Sequence, residues 1–254
     1  MSIVGIIPAR YASTRLPGKP LLSDTGRPMI QHVVDAARRS TRLTRIIVAT
    51  DDERIAEAVR GFGGEVAMTR ADHPSGTDRI AEVAETLADA SIIVNLQGDE
   101  PEISGATLDL VASLLERDLE AQMATLATPI LEESVFRDPS CVKVVCSSRN
   151  RALYFSRSPI PHDRDGRPDH EPPTRDRPLG YLHLGLYAYR RDFLLQYAKM
   201  PQSRLEQLEK LEQLRVLEAG YSIAIDFVEE RGIGIDTPED YRRFVERQRA
   251  AGLA

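Results

Sequence analysis

The sequence predicts an α/β fold: a Rossmann-like, mostly parallel sheet flanked by helices, with a smaller mixed-sheet extension in the second half. Two patterns carry this prediction. Continuous apolar runs alternate with amphipathic stretches through the first half, and shorter connections separate the runs that follow. Apolar runs of this kind indicate strands buried on both faces, which is typical of parallel sheets covered by helices. A chain of 254 residues fits one such domain with an elaboration.

The first half of the chain contains four predicted strands, each followed by a predicted helix. The strands are 3–7, 46–49, 65–68 and 92–95, and the helices are 28–39, one beginning at Asp52, 76–87 and 104–117. The helix at 28–39 has proline at its first position, where no intrahelical N–H bond is lost. The side of this helix that would face the core carries Val33, Val34, Ala36 and Ala37.

The second half is predicted to add a mixed or partly antiparallel extension. Its predicted strands are 123–129, 142–146, 152–156, 180–189 and 222–228, and its predicted helices are 204–219 and 238–250. The segment 158–179 is rich in Pro, Asp and Arg, so we expect a long, mobile surface loop there. Leucine recurs at every third position from Leu205 to Leu217. That stripe indicates a core face or, alternatively, a dimer face.

Composition argues against several classes of protein. The formal net charge of −6 disfavours a large nucleic-acid interface. No apolar run approaches the roughly 20 residues that span a bilayer, and the first residues resemble a buried strand, not a signal peptide, so we expect a cytoplasmic protein. Cys141 and Cys146 lie five residues apart, on opposite faces if they share a strand. They are therefore expected to be ordinary thiols in a reducing compartment.

A basic segment follows the first strand, at the edge where open α/β sheets bind ligands. Within 8–20 it carries Arg10, Arg15 and Lys19 and no acidic residue. Three cations this close repel one another unless an anion lies among them, and a triphosphate would suit them. Small residues that let backbone N–H groups approach phosphates are Ala12, Ser13 and Gly18. The segment has neither a Walker motif nor a dinucleotide fingerprint, and the alternative interpretation is a solvated basic turn.

Two acidic residues are predicted to lie at strand ends near this segment. Asp99 follows the strand at 92–95 after a turn at Gly98, and Asp236 precedes the last helix. Two carboxylates beside phosphates suit Mg²⁺, which takes one or two carboxylates together with phosphate oxygens and waters. Two structural alternatives stay open. Asp99 could belong to a plain acidic turn, and Asp236 could simply neighbour a helix cap at Thr237.

The string IIPARYASTRLPGKPL at 6–21 resembles the N-terminal signature of the sugar nucleotidyltransferases, and its form is most similar to the CMP-Kdo synthetase family (3-deoxy-manno-octulosonate cytidylyltransferases). Later segments agree in order and span nearly the whole chain: VATDDERI at 48–55, MTRADHPSGTDR at 68–79, VNLQGDEP at 94–101, VKVV at 142–145, ALYFSRSPIP at 152–161, HLGLYAYR at 183–190, LEQLR at 211–215 and GIDTPEDY at 234–241. The loop at 162–178 departs from the family pattern, which leaves its role open.

The resemblance implies roles for individual residues. Lys19, Asp99 and Asp236 would be catalytic, and the two aspartates would bind the metal, with Glu100 as a supporting or structural residue. The residues that would bind the nucleotide are Ala9, Arg10, Ser13, Arg15, Lys19, Arg70, Ser75, Gly76 and Gln97. Those that would bind the sugar are Arg157, His183, Tyr187, Glu212 and Gln213. Arg157 ends a predicted strand, and its guanidinium fork is expected to bind the carboxylate of the acid sugar. For Arg70 the alternative is a surface salt bridge with Asp72, and for the polar sugar-site residues it is burial or capping.

The resemblance further implies an Mg²⁺-dependent enzyme that activates the acid sugar Kdo with CTP, giving CMP-Kdo and pyrophosphate for lipopolysaccharide biosynthesis. CTP and Kdo would be its partners as substrates, without nucleic acid or membrane, and the chain would form a homodimer. The single domain 1–254 would divide into a nucleotide-binding half at 1–120, a sugar-binding and dimerisation extension at 121–230, and a metal-ligand turn with the C-terminal helix at 231–254. Two alternatives stay open: CMP transfer to amino-substituted Kdo or sialic acid, and a noncatalytic nucleotide-sensing module.

Overall fold

A computed structural model describes residues 2–12, 16–166, 171–229 and 232–252. The strands within these ranges are β1 (Ser2–Ala9), β2 (Arg45–Thr50), β3 (Glu65–Met68), β4 (Ala90–Asn95), β5 (Met123–Ile130), β6 (Lys143–Cys146), β7 (Ala152–Ser156), β8 (Gly180–Arg190) and β9 (Ile223–Phe227). The α-helices are α1 (Met29–Ala37), α2 (Glu53–Gly61), α3 (Gly76–Glu85), α4 (Gly105–Arg117), α5 (Glu133–Arg137), α6 (Arg191–Tyr197), α7 (Arg204–Glu209), α8 (Gln213–Glu218) and α9 (Pro238–Ala250).

The nine strands form one sheet, and its strand order confirms the predicted fold class. The main path runs β3-β2-β1-β4-β8-β5-β9. The pairings among β1, β2, β3 and β4 are parallel, as is that of β5 with β9. Strand β8 runs antiparallel to both β4 and β5. The predicted mixed extension is the hairpin of β6 and β7, which joins the sheet through β8.

Helices cover both faces of the sheet because alternate side chains of each strand point to opposite sides. In β1, Ile3 and Ile7 contribute to one apolar cluster, whereas Val4 and Ile6 contribute to the other. The first cluster packs against α1, α2 and α4, and the second packs against α3, α6 and α8. All four of these β1 side chains are buried. The core therefore lies on both sides of the sheet, and ligands are left to its edges.

The predicted helix at 204–219 is wrong in one respect: it is two short helices, α7 and α8, separated by a turn. Lys210 ends α7 with φ 55° and ψ 48°, in the left-handed region that ordinary residues avoid. The leucine stripe is split accordingly, since Leu214 is buried while Leu208 is 66% exposed. The sequence has neither Gly nor Pro at this break, so the pattern of leucines alone predicted continuity.

Short helices were also missed where apolar periodicity is too brief to be seen. They are α5, α6 and a 3₁₀ turn at Lys19–Leu21 inside the basic segment. In the part of the chain that the structure describes, none of the helices is long and apolar enough to cross a bilayer. The predicted strands, in contrast, all lie within a few residues of the observed ones.

Candidate active site

The site begins at the crevice between β1 and β4, where the parallel strand order changes direction. The chain leaves β1 to form β2 and β3 on one side and returns to form β4 on the other. In open α/β sheets, ligands bind outside the carboxyl ends of the strands at such a point. The turn after β4 lies against the end of β1, because a Cβ added to Gly98 would stand 3.1 Å from the Pro8 carbonyl oxygen. A larger residue would have to displace this carbonyl by a few tenths of an ångström, so glycine favours the close approach.

Lys19 brings the two predicted metal ligands together. Its ammonium lies 3.2 Å from Asp99 Oδ2 and 3.4 Å from Asp236 Oδ1, and it donates a 2.6 Å hydrogen bond to the Ile235 carbonyl. The Lys19 side chain is 16% exposed, whereas those of Asp99 and Asp236 are 32% and 43% exposed. Three residues distant in sequence thus meet at one partly open position, as the sequence predicted.

The turn that carries Asp236 is anchored on both sides. Ile235 is fully buried in a small cluster with residues of α1 and α9, and its N–H donates to the Asp99 carbonyl at 2.9 Å. Thr237 caps α9, with its hydroxyl accepting from the Asp240 N–H. The cap alternative and the ligand hypothesis are therefore compatible, because Thr237 supplies the cap and leaves the Asp236 carboxylate beside Lys19.

A second contact fixes the turn of Asp99 against α9. The Arg247 guanidinium donates to both carboxylate oxygens of Glu102, to Oε2 at 2.6 Å and to Oε1 at 3.2 Å, and Gln248 adds a bond of 3.2 Å to Oε1. This forked pair joins the segment after Asp99 to the helix after Asp236. The separation of the two aspartates is thus set by packing and by an ion pair, in addition to Lys19.

The donor set fits Mg²⁺. Mg²⁺ takes one or two carboxylates together with phosphate oxygens and waters, and Asp99 and Asp236, which converge on one ammonium, could supply the carboxylates. Among the described residues there is no group of three or more His, Cys, Asp or Glu side chains that could hold a metal by themselves. Beside Asp99, burial and the charge of that carboxylate raise the pKa of Glu100 to about 7.

A cavity of about 960 Å³ opens next to this cluster. Asp236 and Glu100 lie at one side of it, and β8 and the turn between α7 and α8 form another wall. Of the predicted residues, those that line the cavity are Gly76, Gln97, His183, Tyr187, Glu212, Gln213 and Asp236. Most of the predicted sugar site and part of the predicted nucleotide site are therefore brought together in one space.

The predicted sugar residues on the cavity wall are held by neighbouring groups. His183 shares a 3.1 Å hydrogen bond with Thr125, and burial lowers the pKa of His183 to about 3, so the ring is neutral at physiological pH. The Glu212 carboxylate accepts from Thr77 at 2.8 Å, and burial raises the pKa of Glu212. Gln213 is 3% exposed and its Nε2 finds no hydrogen-bond partner among the described residues.

Arg157 is placed differently from the prediction. Its guanidinium donates to the backbone carbonyls of Glu209 at 2.7 Å and Pro139 at 3.0 Å, and reaches that of Lys210 at 3.5 Å. It does not line the cavity. Three of the five N–H donors of the guanidinium thus reach backbone carbonyls, and binding of a sugar carboxylate by Arg157 stays a prediction. Arg157 instead joins the end of α7 to the segment before β6.

The predicted nucleotide residues are divided. Ala9 is buried at the end of β1, and Arg10 donates to the carbonyls of His73 at 2.6 Å and Ser75 at 3.1 Å. The Ser75 hydroxyl accepts from the Asp78 N–H and caps α3, so a structural role accounts for it. Gly76 and Gln97 line the cavity, and Gln97 donates to the Gly185 carbonyl at 2.7 Å.

Arg70, Ser13 and Arg15 complete the predicted nucleotide set. The Arg70 side chain is 69% exposed and lies 3.6 Å from Glu82 and 3.9 Å from Asp72, which agrees with the surface salt-bridge alternative. Ser13 and Arg15 lie outside the described residues. Of the three predicted cations of the basic segment, the structure thus describes Arg10 and Lys19.

Three cavity features were not predicted from the sequence. Thr77 donates to Glu212, Asn95 lies on the wall with its buried Oδ1 lacking a hydrogen-bond partner among the described residues, and Lys210 lies at the left-handed turn. Asn95 ends β4 inside the motif VNLQGDEP, so its position next to Gln97 was a usable signal. The turn at Lys210 left no signal, because its conformation is set by packing between α7, α8 and β7.

Packing of α7 rests on a buried ion pair. Arg215 donates to both carboxylate oxygens of Glu206, at 2.7 and 2.5 Å, and their side chains are 12% and 4% exposed. The Arg215 guanidinium also lies 4.8 Å from the centre of the Tyr197 ring. This pair fixes α7 against α8 and so holds the turn between them.

Comparison with known proteins assigns the family. The model of the cytidylyltransferase family matches residues 4–225. The 3-deoxy-manno-octulosonate cytidylyltransferase of Syntrophotalea carbinolica is 51% identical over 96% of this chain and 97% of its own length, and that of Geobacter metallireducens is 51% identical over 97% and 98%. A solved structure of CMP:2-keto-3-deoxy-manno-octonic acid synthetase complexed with CTP covers 99% of this chain and 100% of its own, with 43% identity and a TM-score of 0.90.

The matches to the relatives and to this solved structure extend over nearly the whole chain. Lys19 and Asp99 lie within the residues that the family model matches, and Asp236 lies after them. A solved cytidylyltransferase from Leptospira borgpetersenii, at 18% identity and a TM-score of 0.64, shares the fold. The chain therefore belongs to the 3-deoxy-manno-octulosonate cytidylyltransferase family of nucleotidyltransferases.

Proposed function

We propose that this chain transfers CMP from CTP to 3-deoxy-manno-octulosonate (Kdo), releasing pyrophosphate, and that the product serves lipopolysaccharide biosynthesis. The observation that carries the proposal is the meeting of Lys19, Asp99 and Asp236 beyond the carboxyl ends of β1 and β4, beside a cavity of about 960 Å³. Family membership supplies the class of nucleotide and of acceptor.

In this reaction the anomeric hydroxyl of Kdo attacks the α-phosphorus of CTP in line. A new oxygen–phosphorus bond forms at the sugar, and the bond to the β-phosphate breaks. Such transfers depend mainly on positioning and on neutralising charge. We assign the cavity wall of His183, Tyr187, Glu212 and Gln213 to the sugar, and Gly76 with Gln97 to the nucleoside. The polar atoms on that wall suit a polyhydroxylated ligand, because a buried amide without a partner calls for one.

We propose Mg²⁺ as the cofactor, held by Asp99 and Asp236. Support comes from the convergence of both carboxylates on one ammonium. The bound ion would neutralise phosphate charge and lower the pKa of the attacking hydroxyl. Lys19 would remain beside the same position, where its charge would offset that of the triphosphate. Arg10, Arg15 and Ser13 are proposed to complete the phosphate site.

The acceptor is tested by comparing acid sugars with CTP held constant. We expect pyrophosphate release with Kdo to exceed that with sialic acid or an amino-substituted Kdo by about tenfold or more in kcat/KM, the size of discrimination that a few cavity contacts supply. Faster turnover of another acid sugar would assign the chain to that substrate. Absence of turnover with every acid sugar, combined with tight CTP binding, would favour a nucleotide-sensing module.

We also propose a homodimer. Leu208 on α7 and Leu153 on β7 are 66% and 61% exposed, and the two elements are joined by a 2.6 Å hydrogen bond from Ser156 to Glu209. Exposed leucines on neighbouring elements are typical of an interface. Light scattering should give twice the chain mass, and replacing both leucines by glutamate should give the monomer mass.

A matched control for the dimer test is Met68, which is 46% exposed at the end of β3, and β3 lies at the far edge of the sheet from β8 and the hairpin of β6 and β7. Met68→Glu should leave the mass unchanged. A monomer mass for the unmodified protein at micromolar concentration would refute the dimer. We place the protein in the cytoplasm, since it would use CTP and since Cys141 and Cys146 are both free thiols in the structure.

A further inference from the structure

The cavity wall carries many acidic side chains and few cations, although the proposed acceptor is an acid. Among the described residues that line the cavity, the acidic ones are Glu100, Glu102, Glu212, Glu229 and Asp236, and Lys210 is the one lysine or arginine. A carboxylate entering this space without a cation would be repelled. The position of Lys210 on the wall therefore bears on how an acid sugar is accepted.

The other cations close to the sugar wall are already committed. The Arg157 guanidinium serves backbone carbonyls and does not line the cavity. The Lys143 ammonium is fully buried and donates to the carbonyls of Asp138, Cys141 and Arg157 at 2.9, 2.5 and 2.6 Å. Lys143 cannot turn to a ligand without leaving these carbonyls unpaired, and turning Arg157 would break its partly buried bond to the Glu209 carbonyl.

Lys210 differs from these cations in having its charge available. The structure describes neither a hydrogen bond nor an ion pair of its ammonium with any described residue, and its side chain is exposed. The acidic groups nearby are directed elsewhere, since the Glu209 carboxylate accepts from Ser156 Oγ at 2.6 Å and from the Arg157 N–H at 2.9 Å. The Glu212 carboxylate accepts from Thr77.

The backbone at Lys210 adopts a conformation that is unusual for a lysine. Its left-handed conformation at the end of α7 is one that glycine adopts most easily, yet the residue is a lysine. Unusual backbone conformations of this kind concentrate at binding sites. Arg157 reaches the carbonyls on both sides of the turn, at Glu209 and Lys210, and so supports it.

We propose that Lys210 is a specificity-determining residue that binds the carboxylate of the acid sugar, with Arg157 as the positioning residue that holds the turn. This inference rests on the proposed function, because it names the group that recognises the acceptor. It assigns to Lys210 the contact that the sequence had suggested for Arg157.

The test compares the acid with its C1 carboxamide in the full-length enzyme with CTP and Mg²⁺. Lys210→Gln should raise KM for Kdo roughly tenfold, the loss expected for one charge-assisted hydrogen bond, and leave KM for CTP within about twofold. The same variant should leave KM for the carboxamide unchanged. Lys210→Arg, which keeps the charge, should restore KM for Kdo to within about threefold of the unmodified enzyme.

Folding is controlled by Lys210→Gly, which removes the cation and relieves the left-handed conformation. It should raise the melting temperature while raising KM for Kdo as Lys210→Gln does. If Lys210→Gln leaves KM for Kdo within twofold, or raises KM for CTP instead, the inference is overturned and the carboxylate is bound by another group. If the unmodified enzyme releases no pyrophosphate with Kdo, the proposed function itself has failed.

Discussion

Replacing Arg157 by lysine separates two roles for this residue. The variant keeps the positive charge and loses the planar guanidinium fork. If Arg157 contacted the sugar carboxylate directly, the change would weaken Kdo binding and leave folding stability nearly intact. In the structure the fork joins the end of α7 to the segment before β6 through carbonyls of Glu209, Pro139 and Lys210. We therefore expect both stability and Kdo binding to fall.

The expected loss of stability follows from these three contacts. The 2.7 Å bond from Nε to Glu209 is partly buried and charge-assisted, so it contributes about 1.5–3 kcal/mol. The 3.0 Å bond to Pro139 is exposed and contributes about 0.5–1 kcal/mol, and the 3.5 Å contact with Lys210 contributes little. Because a lysine can recover one of these bonds, the free energy of unfolding should fall by about 1–3 kcal/mol.

The assay pairs urea unfolding and thermal unfolding with initial-rate kinetics on the same preparation. We expect the melting temperature to fall by roughly 2–4 °C for each kcal/mol lost. KM for Kdo should rise about threefold or more through displacement of the Lys210 turn, with KM for CTP unchanged. Arg164→Lys is a matched control on the neighbouring exposed loop and should leave unfolding unchanged. A rise in KM for Kdo without any loss of stability would refute the positioning role and restore the direct contact.

Three further changes test the site and its support. Asp99→Asn should lower pyrophosphate release by about 100-fold or more with an unchanged melting temperature, because a neutral amide binds Mg²⁺ more weakly than a carboxylate does. Activity within threefold of the unmodified enzyme would contradict the metal role. Arg215→Met should lower the free energy of unfolding by about 3–5 kcal/mol, because it leaves the buried Glu206 carboxylate without its cation. Adding Glu206→Gln should recover much of this loss. Equal losses in the single and double variants would show that the unpaired carboxylate is not the cause. Burial holds the pKa of His183 near 3, below its usual 6.5. Between these two values only the unfolded chain gains a proton, so the free energy of unfolding decreases as the pH is lowered. Between pH 7 and pH 5 this loss should be at most about 2 kcal/mol and should be absent in His183→Gln, so identical pH dependence in both proteins would contradict the assignment.

The fold class could be predicted from the sequence because the strands are continuous apolar runs, and burial of such runs on both faces can be recognised locally. Val4 and Ile6 of β1 face one cluster, and Ile3 and Ile7 face the other, as an apolar run predicts for a covered strand. The convergence of Asp99 and Asp236 was also predicted, although Asp236 lies in an irregular segment before α9, beyond Phe227 where β9 ends, and not at a strand end as expected. The position of β8 between β4 and β5 depends on pairing between distant segments, and that information is not local.

The part of the site that escaped prediction depends on turns. Arg157 ends a strand, and its position alone could not reveal that backbone carbonyls from α7 and the segment before β6 would meet its guanidinium. Likewise, leucine periodicity favoured one continuous helix, whereas the structure has two short helices separated at Lys210. The left-handed conformation of this lysine is stabilised by tertiary packing and not by local preference. Ser75 was assigned to the nucleoside from resemblance, whereas its hydroxyl caps α3.

The most direct test of the central claim is pyrophosphate release from each of the four common nucleoside triphosphates, with and without Kdo, in the presence of Mg²⁺. The account predicts release with CTP that requires Kdo, that stops when the metal is chelated, and that falls by about 100-fold or more in Asp99→Asn. Release of pyrophosphate from CTP that is independent of Kdo, or equal release from all four nucleotides, would contradict it.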